Sequence, residues 1–216
     1  GAPQRVIIHA ERRAAVTGDE SGGVQPLGSI ALPLQHRQAH QGLDAGQEHP
    51  AVLEVVKSLG QTEWLPVGRD GVVSDLSALD TPAAVAAVMW ANNETGAIQP
   101  VHEVVARAEA AGTPVHVDAV QAVGHIPVDF HELGAATLAS SAHKFGGPRG
   151  MGLLLARRSP APKPVILGGG QERGIRSGTV DVASAAATAA ALEEAVAEMA
   201  HEQQRIAGLR DAVIAG

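Results

Sequence analysis

The chain has 216 residues, of which 45% are hydrophobic and 18% charged. This composition suits one ordinary domain with a buried core, and no apolar run approaches the ~18–20 residues that span a bilayer. The formal net charge of −7 argues against nucleic acid or an anionic membrane as a partner, because such binders carry clustered basic residues. The absence of cysteine excludes disulfides, thiolate metal sites and a cysteine nucleophile in this sequence.

Residues 1–47 form an atypical N-terminal segment in which the pattern does not allow helices or strands to be placed. They contain no apolar secretion signal, so the expected location is cytoplasmic. His36 and His40 have the i,i+4 spacing that suits a metal ion, but no carboxylate or third ligand accompanies them in a recognisable pattern. We therefore predict no metal site.

From about residue 81 onward, short apolar runs alternate with helical stretches. This alternation predicts an α/β fold, with a mainly parallel sheet sandwiched by helices. A helix is predicted over residues 100–111, where Gly112 stops it, and a long helix or helix pair over residues 183–215. The predicted strands, all short and apolar, cover residues 83–90, 114–117, 136–139 and 151–156.

Chemically active side chains follow three of these strands. Open parallel sheets bind their ligands at the carboxyl ends of the strands. Residues 92–96 (NNETG) follow the first strand, Asp118 and Gln121 follow the second, and residues 140–144 (SSAHK) follow the third. Each group alone is explained by a turn, a helix cap or a solvated lysine. Their placement at neighbouring strand ends favours a ligand site.

Lys144 is the centre of this predicted site, because a Gly-Gly-Pro turn at residues 146–148 lets the backbone approach a ligand. Such a lysine can form a Schiff base, and the electrons it helps to mobilise need a sink such as the pyridoxal phosphate ring. The other candidates are Asp118 for the pyridine nitrogen, Gln121 or Asn93 for the ring hydroxyl, and Ser141 and His143 for the phosphate.

Five segments extend this pattern from about residue 48 to the end of the sequence. They read EHPAVLE (48–54), ANNETGAIQPV (91–101), HVDAVQAVG (116–124), SSAHKFGGPRGMG (140–152) and GGGQERGIRSGT (168–179). In identity, order and near-correct spacing, these segments resemble the cysteine desulfurases, which are pyridoxal-phosphate enzymes of the class V aminotransferase family.

The resemblance implies roles for individual residues. Lys144 would bond to pyridoxal 5′-phosphate, and His49 would stack on the ring and assist proton transfer. Thr179 would reach the cofactor of a neighbouring subunit, which implies a homodimer. The implied reaction takes sulfur from L-cysteine, or a related amino acid, and leaves alanine, with an enzyme cysteine and then a sulfur-acceptor protein receiving the sulfur. The cofactor contacts given above would be made by Asn93, Asp118, Gln121, Ser141 and His143.

Two departures from the family pattern affect these expectations. The family has a phosphate-binding loop upstream of EHPAV, and in this sequence only residues 16–23 resemble it weakly. The nucleophilic cysteine and the small C-terminal domain of the family have no counterpart in these 216 residues. We therefore expect a cofactor-binding large domain at residues 48–182 and, at residues 183–216, a long helix leading toward an absent small domain. The chain alone is expected to be inactive in desulfuration. The alternatives are another class V enzyme, such as an aminotransferase or selenocysteine lyase, or an inactive scaffold or dimerisation fragment.

Overall fold

The structure is a computed structural model, and it describes residues 6–9, 48–58, 62–159 and 161–216. Six strands of this part of the chain form one sheet in the order β2-β1-β3-β4-β5-β6. All neighbouring strands are parallel except β5 and β6, which are antiparallel. The strands are β1 (Val6–His9), β2 (Thr62–Leu65), β3 (Val85–Met89), β4 (Val115–Asp118), β5 (Thr137–Ser141) and β6 (Gly152–Ala156).

Helices connect the strands and cover the sheet. The described α-helices are α1 (Pro50–Ser58), α2 (Val101–Ala110), α3 (Phe130–Leu133) and α4 (Val182–Ala215). Val101, Val104, Val105 and Ala108 recur at helical spacing on α2, and all four are buried in the main core. The predicted α/β fold with a mainly parallel sheet is confirmed.

The core lies around the central strands. Val88 of β3, Val117 of β4 and Leu138 of β5 are buried together with the apolar face of α2. β3 is buried from Ala86 to Met89, which is the pattern of a parallel strand covered on both faces. Burying each such aliphatic side chain contributes about 1.5–3 kcal/mol to folding. The core thus fixes the positions at which β3, β4 and β5 end.

α4 is a single helix of 34 residues rather than a helix pair. Asp181 caps its start by accepting hydrogen bonds from the Ser184 backbone N–H at 3.0 Å and the Ser184 hydroxyl at 2.7 Å. Farther along, Gln203 donates a hydrogen bond to the carbonyl oxygen of His125 at 2.6 Å, which ties α4 to the sheet domain. No helix in the described ranges combines the length and the apolar character needed to cross a membrane.

The predicted strands from residue 83 onward all form, and their ends differ from the predicted ends by at most two residues. β1 was not predicted, although it lies inside the sheet between β2 and β3. Residues 16–23, His36 and His40 lie outside the described residues. The boundaries proposed for the domains stay predictions.

Candidate active site at the carboxyl edge of the sheet

The carboxyl ends of β3, β4 and β5 lie side by side. Met89 of β3 is opposite Asp118 of β4, and Asp118 is opposite Ala139 of β5. Because the three strands are parallel, the segments that follow them leave the sheet at the same edge. The structure thus brings together the three chain segments that carry most of the predicted site residues.

Asp118 is the carboxylate in the middle of this edge, and only 6% of its surface is exposed. Its Oδ1 accepts a hydrogen bond from the backbone N–H of Val120 at 3.0 Å, and its backbone carbonyl accepts one from Trp90 N–H at 2.8 Å. Within the described residues, the Val120 N–H is the group that donates to this carboxylate. The other oxygen, Oδ2, can therefore accept a hydrogen bond from a ligand. A buried carboxylate with one oxygen available has the chemistry that a protonated pyridine nitrogen requires.

His116 precedes Asp118 on β4 and shares its face of the sheet, because residues i and i+2 of a strand point the same way. Its Nδ1 lies 2.8 Å from the hydroxyl of Thr137 on β5. Burial lowers the pKa of His116, while the nearby charge of Asp118 opposes that shift. This environment favours a neutral imidazole beside the Asp118 carboxylate.

Glu48 also reaches this edge, although the sequence predicted no role for it. It is 3% exposed, and its Oε1 accepts a hydrogen bond from the backbone N–H of Met89 at 2.6 Å. Burial raises the pKa of Glu48 from 4.5 to about 8; the Met89 N–H opposes this shift, and the charge of Asp118 adds to it. A glutamate just before a helix ordinarily faces solvent, so the sequence carried no signal of this burial beyond its place in the EHPAV motif.

His49 follows Glu48 and directly precedes α1. Its carbonyl oxygen accepts hydrogen bonds from Val52 N–H at 2.8 Å and Leu53 N–H at 3.0 Å, and its Nδ1 accepts one from Ala51 N–H at 3.2 Å. Because Nδ1 is an acceptor, the proton of the neutral ring lies on Nε2. The His49 side chain is exposed, and its neighbour Glu48 is anchored at the end of β3.

Lys144 is exposed and ends the short 3₁₀ turn Ala142–Lys144 that follows β5. Its carbonyl oxygen lies 2.9 Å from Nε2 of His125, and Phe145 and Gly147 donate backbone hydrogen bonds to the carbonyl of Ala142 at 3.2 and 2.8 Å. A Cβ added to Gly147 would lie 2.9 Å from the Cβ of Ala142, so this turn requires glycine. The Lys144 backbone is therefore fixed by the His125 contact and by the turn hydrogen bonds to Ala142.

Ser141 and His143 form a polar pair beside Lys144. The Ser141 Oγ and the His143 Nδ1 are 2.8 Å apart, and His143 is exposed. With a neutral imidazole, this pair can donate one further hydrogen bond to an anion, either from the Ser141 hydroxyl or from the His143 Nε2–H, depending on the tautomer. This chemistry suits a phosphate group.

The remaining predicted residues occupy different positions. Asn93 is exposed in the turn after β3, and its neighbour Asn92 builds that turn by accepting hydrogen bonds from the N–H groups of Glu94 and Thr95, both at 2.8 Å. Gln121 is half-buried just after β4. Thr179 is exposed before α4. Among the residues placed by the structure, no group of three or more His, Asp or Glu side chains could hold a metal ion.

Comparisons with known proteins connect this geometry to a family. The family described as aminotransferase class-V matches residues 35–215. An IscS-like cysteine desulfurase from Mycobacterium tuberculosis is 44% identical over 179 residues, which is 78% of this chain and 46% of the relative. The cysteine desulfurase NifS of Azotobacter vinelandii is 41% identical over 177 residues, covering 78% of this chain and 44% of that protein.

Solved structures agree with these relatives. A NifS-like protein superimposes with a TM-score of 0.74 at 39% identity, over 78% of this chain and 49% of the other. DndA from Streptomyces lividans superimposes with a TM-score of 0.71 at 34% identity, over 78% of this chain and 51% of the other. The chain spans about half the length of the curated relatives it matches.

Proposed function

The chain belongs to the class V aminotransferase family, and we propose that it carries the pyridoxal-phosphate site of a cysteine desulfurase acting on L-cysteine. The similarity to proteins named cysteine desulfurase, at 36–44% identity, supports this substrate and reaction. The observation that carries the proposal is the buried Asp118 carboxylate at the shared edge of β3, β4 and β5, where one oxygen is available to a ligand.

When bound, pyridoxal phosphate supplies an electron sink that stabilises negative charge on the substrate Cα. Asp118 would accept a hydrogen bond from the protonated pyridine nitrogen at its Oδ2, because its Oδ1 already accepts the Val120 N–H. Burial keeps water from competing for this hydrogen bond. The neutral His116 next to it adds no positive charge that would weaken the pairing.

Lys144 provides the amine that attaches the cofactor and afterwards accepts and returns a proton at its Nζ. Its backbone is fixed by the turn that Gly147 makes against Ala142, so the flexible side chain starts from a defined position. The Nε2–H of His49 can donate a hydrogen bond at the same edge of the sheet. The pair of Ser141 and His143 would hold the phosphate, with the hydroxyl or the imidazole N–H donating to it.

A thiol that accepts the sulfur completes the proposed reaction. The sequence contains no cysteine, so a thiol outside these 216 residues has to provide that group. The proposal for this chain therefore concerns cofactor attachment and activation of the amino acid.

Peptide mapping tests the cofactor site. The chain is loaded with pyridoxal phosphate and reduced with borohydride, which makes the bond to the lysine amine permanent. We expect the adduct on Lys144; it should disappear in Lys144→Ala and remain in Lys57→Ala, the control at an exposed lysine that pairs with Glu54 on α1. An adduct on Lys57 or Lys163 would overturn the assignment.

A homodimer is part of the proposal. It is supported by the resemblance of residues 168–179 to a segment that serves the neighbouring subunit and by the exposure of Thr179. Sedimentation of the cofactor-loaded chain is expected to give a dimer. A strictly monomeric chain that retains pyridoxal phosphate tightly would contradict the role of Thr179.

A further inference from the structure

Glu48 connects the start of α1 to the end of the central strand β3. Its Oε1 accepts the Met89 N–H at 2.6 Å, and Met89 is the residue opposite Asp118 in the sheet. His49 follows Glu48 directly, and its carbonyl oxygen accepts hydrogen bonds from the first turn of α1. A single buried side chain therefore joins the segment that presents His49 to the strand beside Asp118.

Two carboxyl groups at one buried edge cannot both be ionised without a large cost, because neither is fully solvated and their charges repel. Burial and the charge of Asp118 both favour the protonated form of Glu48 and raise its pKa to about 8. Asp118, in contrast, has an oxygen available to a cationic ligand. The two carboxyl groups thus have different environments.

Resting on the function proposed above, we propose that Glu48 is a positioning residue that acts in its protonated form. It anchors His49 at the sheet edge through Met89 and leaves Asp118 as the single negative charge that faces the pyridine nitrogen. A protonated carboxyl accepts the Met89 N–H as a glutamine amide would, without bringing a second charge. The inference gives Glu48 a role toward the cofactor without direct contact.

The proposal predicts a specific pH dependence of cofactor binding. As the pH rises through about 8, Glu48 loses its proton and a second negative charge appears beside Asp118. The other titratable groups that the described residues place at this edge include His116 on β4, His49 just before α1, and His143 and Lys144 after β5. Glu48→Gln keeps an oxygen that can accept the Met89 N–H, so these groups stay in place and their effects cancel when this variant is compared with the wild-type chain.

The experiment compares the pyridoxal phosphate affinity of the full chain with that of Glu48→Gln by equilibrium dialysis from pH 6 to 9. We expect equal affinities at pH 6. At pH 9, one unit above the pKa, about one tenth of the wild-type chain has Glu48 protonated, so Glu48→Gln should bind about tenfold more tightly. Glu48→Ala, which loses the bond to Met89, should bind weakly at both pH values.

Glu54→Gln is the matched control, because Glu54 lies on the same helix with an exposed side chain. Its affinity should follow the wild-type values at every pH. An affinity ratio of Glu48→Gln to wild type that stays constant from pH 6 to 9 would overturn the role of Glu48. A loss of binding in Glu48→Gln at pH 6 as large as that in Glu48→Ala would also overturn this role, since the charged form of Glu48 would then be the one required. If the wild-type chain bound no pyridoxal phosphate at pH 6, the proposed function itself would be refuted, and the positioning role with it.

Discussion

Replacing Gly124 with alanine tests whether α4 supports the backbone that carries Lys144. Gly124 has a φ of +81°, and a Cβ placed on it would lie 2.7 Å from the Cβ of Phe145 and 3.3 Å from the Cβ of Ala195. Phe145 directly follows Lys144, and Ala195 lies on α4. Gly124 is therefore the point where the helix, the segment after β4 and the lysine turn meet.

The expected loss of stability has two parts. A positive φ costs a residue with a Cβ about 1–2 kcal/mol, and forcing an extra methyl group into a packed space costs about 1–3 kcal/mol more. Gly112 offers a matched control, because it has a φ of +75° and no atom within 4 Å of its added Cβ. Gly124→Ala should thus lower the free energy of unfolding by about 2–5 kcal/mol, and Gly112→Ala by about 1–2 kcal/mol.

Urea unfolding followed by circular dichroism measures both losses against the wild-type chain. The difference between the two variants isolates the contact with Phe145 and Ala195, since the backbone cost is common to both. We also expect weaker borohydride trapping of pyridoxal phosphate at Lys144 in Gly124→Ala than in Gly112→Ala. If Gly124→Ala were no less stable than Gly112→Ala, α4 would not pack against the lysine turn as the structure describes.

Three further predictions concern the site and the core. Asp118→Asn should keep the reduced adduct on Lys144, but it should slow exchange of the Cα hydrogen of a bound amino acid in D₂O about a hundredfold. NMR measures this exchange, and equal rates in the variant and the wild-type chain would show that another group tunes the cofactor ring. Because its folded pKa lies above the ordinary value, Glu48 stabilises the fold fully below pH 4.5 and loses that contribution as the pH rises through about 8. The loss amounts to at most roughly 5 kcal/mol in urea unfolding, and Glu48→Gln should abolish this slope between pH 5 and 9. Leu79→Ala, at a fully buried core position (0% exposed), should lower the free energy of unfolding by about 2–5 kcal/mol. Leu154→Ala on the edge strand β6 (56% exposed) should change it little, and similar losses in the two variants would contradict the described core.

Most of the fold after residue 81 could be predicted because its local signals agree with its tertiary context. The run at residues 83–90 is apolar throughout and is followed by a polar turn, so its strand β3 ends within two residues of the predicted positions. The helix predicted at residues 100–111 forms as Val101–Ala110 because its apolar side chains recur on one face. The match of residues 35–215 to the class V family likewise follows from short motifs that the sequence contains in order.

β1 and the direction of β6 could not be predicted in the same way. β1 has four residues, and its place between β2 and β3 depends on hydrogen bonds to strands that begin more than fifty residues later in the sequence. β6 has the same apolar character as the parallel strands, yet it runs antiparallel to β5. Strand direction depends on how the connecting chain returns to the sheet, which a local apolar pattern does not encode.

The sequence by itself determined the chemistry available to the site: a lysine in a glycine-rich turn, an aspartate at a strand end, and neighbouring serine and histidine side chains. Only the tertiary structure decided the environment of each group. Glu48 becomes a protonated acid because burial and the charge of Asp118 outweigh the hydrogen bond from Met89, 41 residues away, which favours the ionised form. The Lys144 carbonyl is held by His125, 19 residues before it. Protonation state and position depend on burial and on partners distant in the chain, and these exist only once the sheet has assembled.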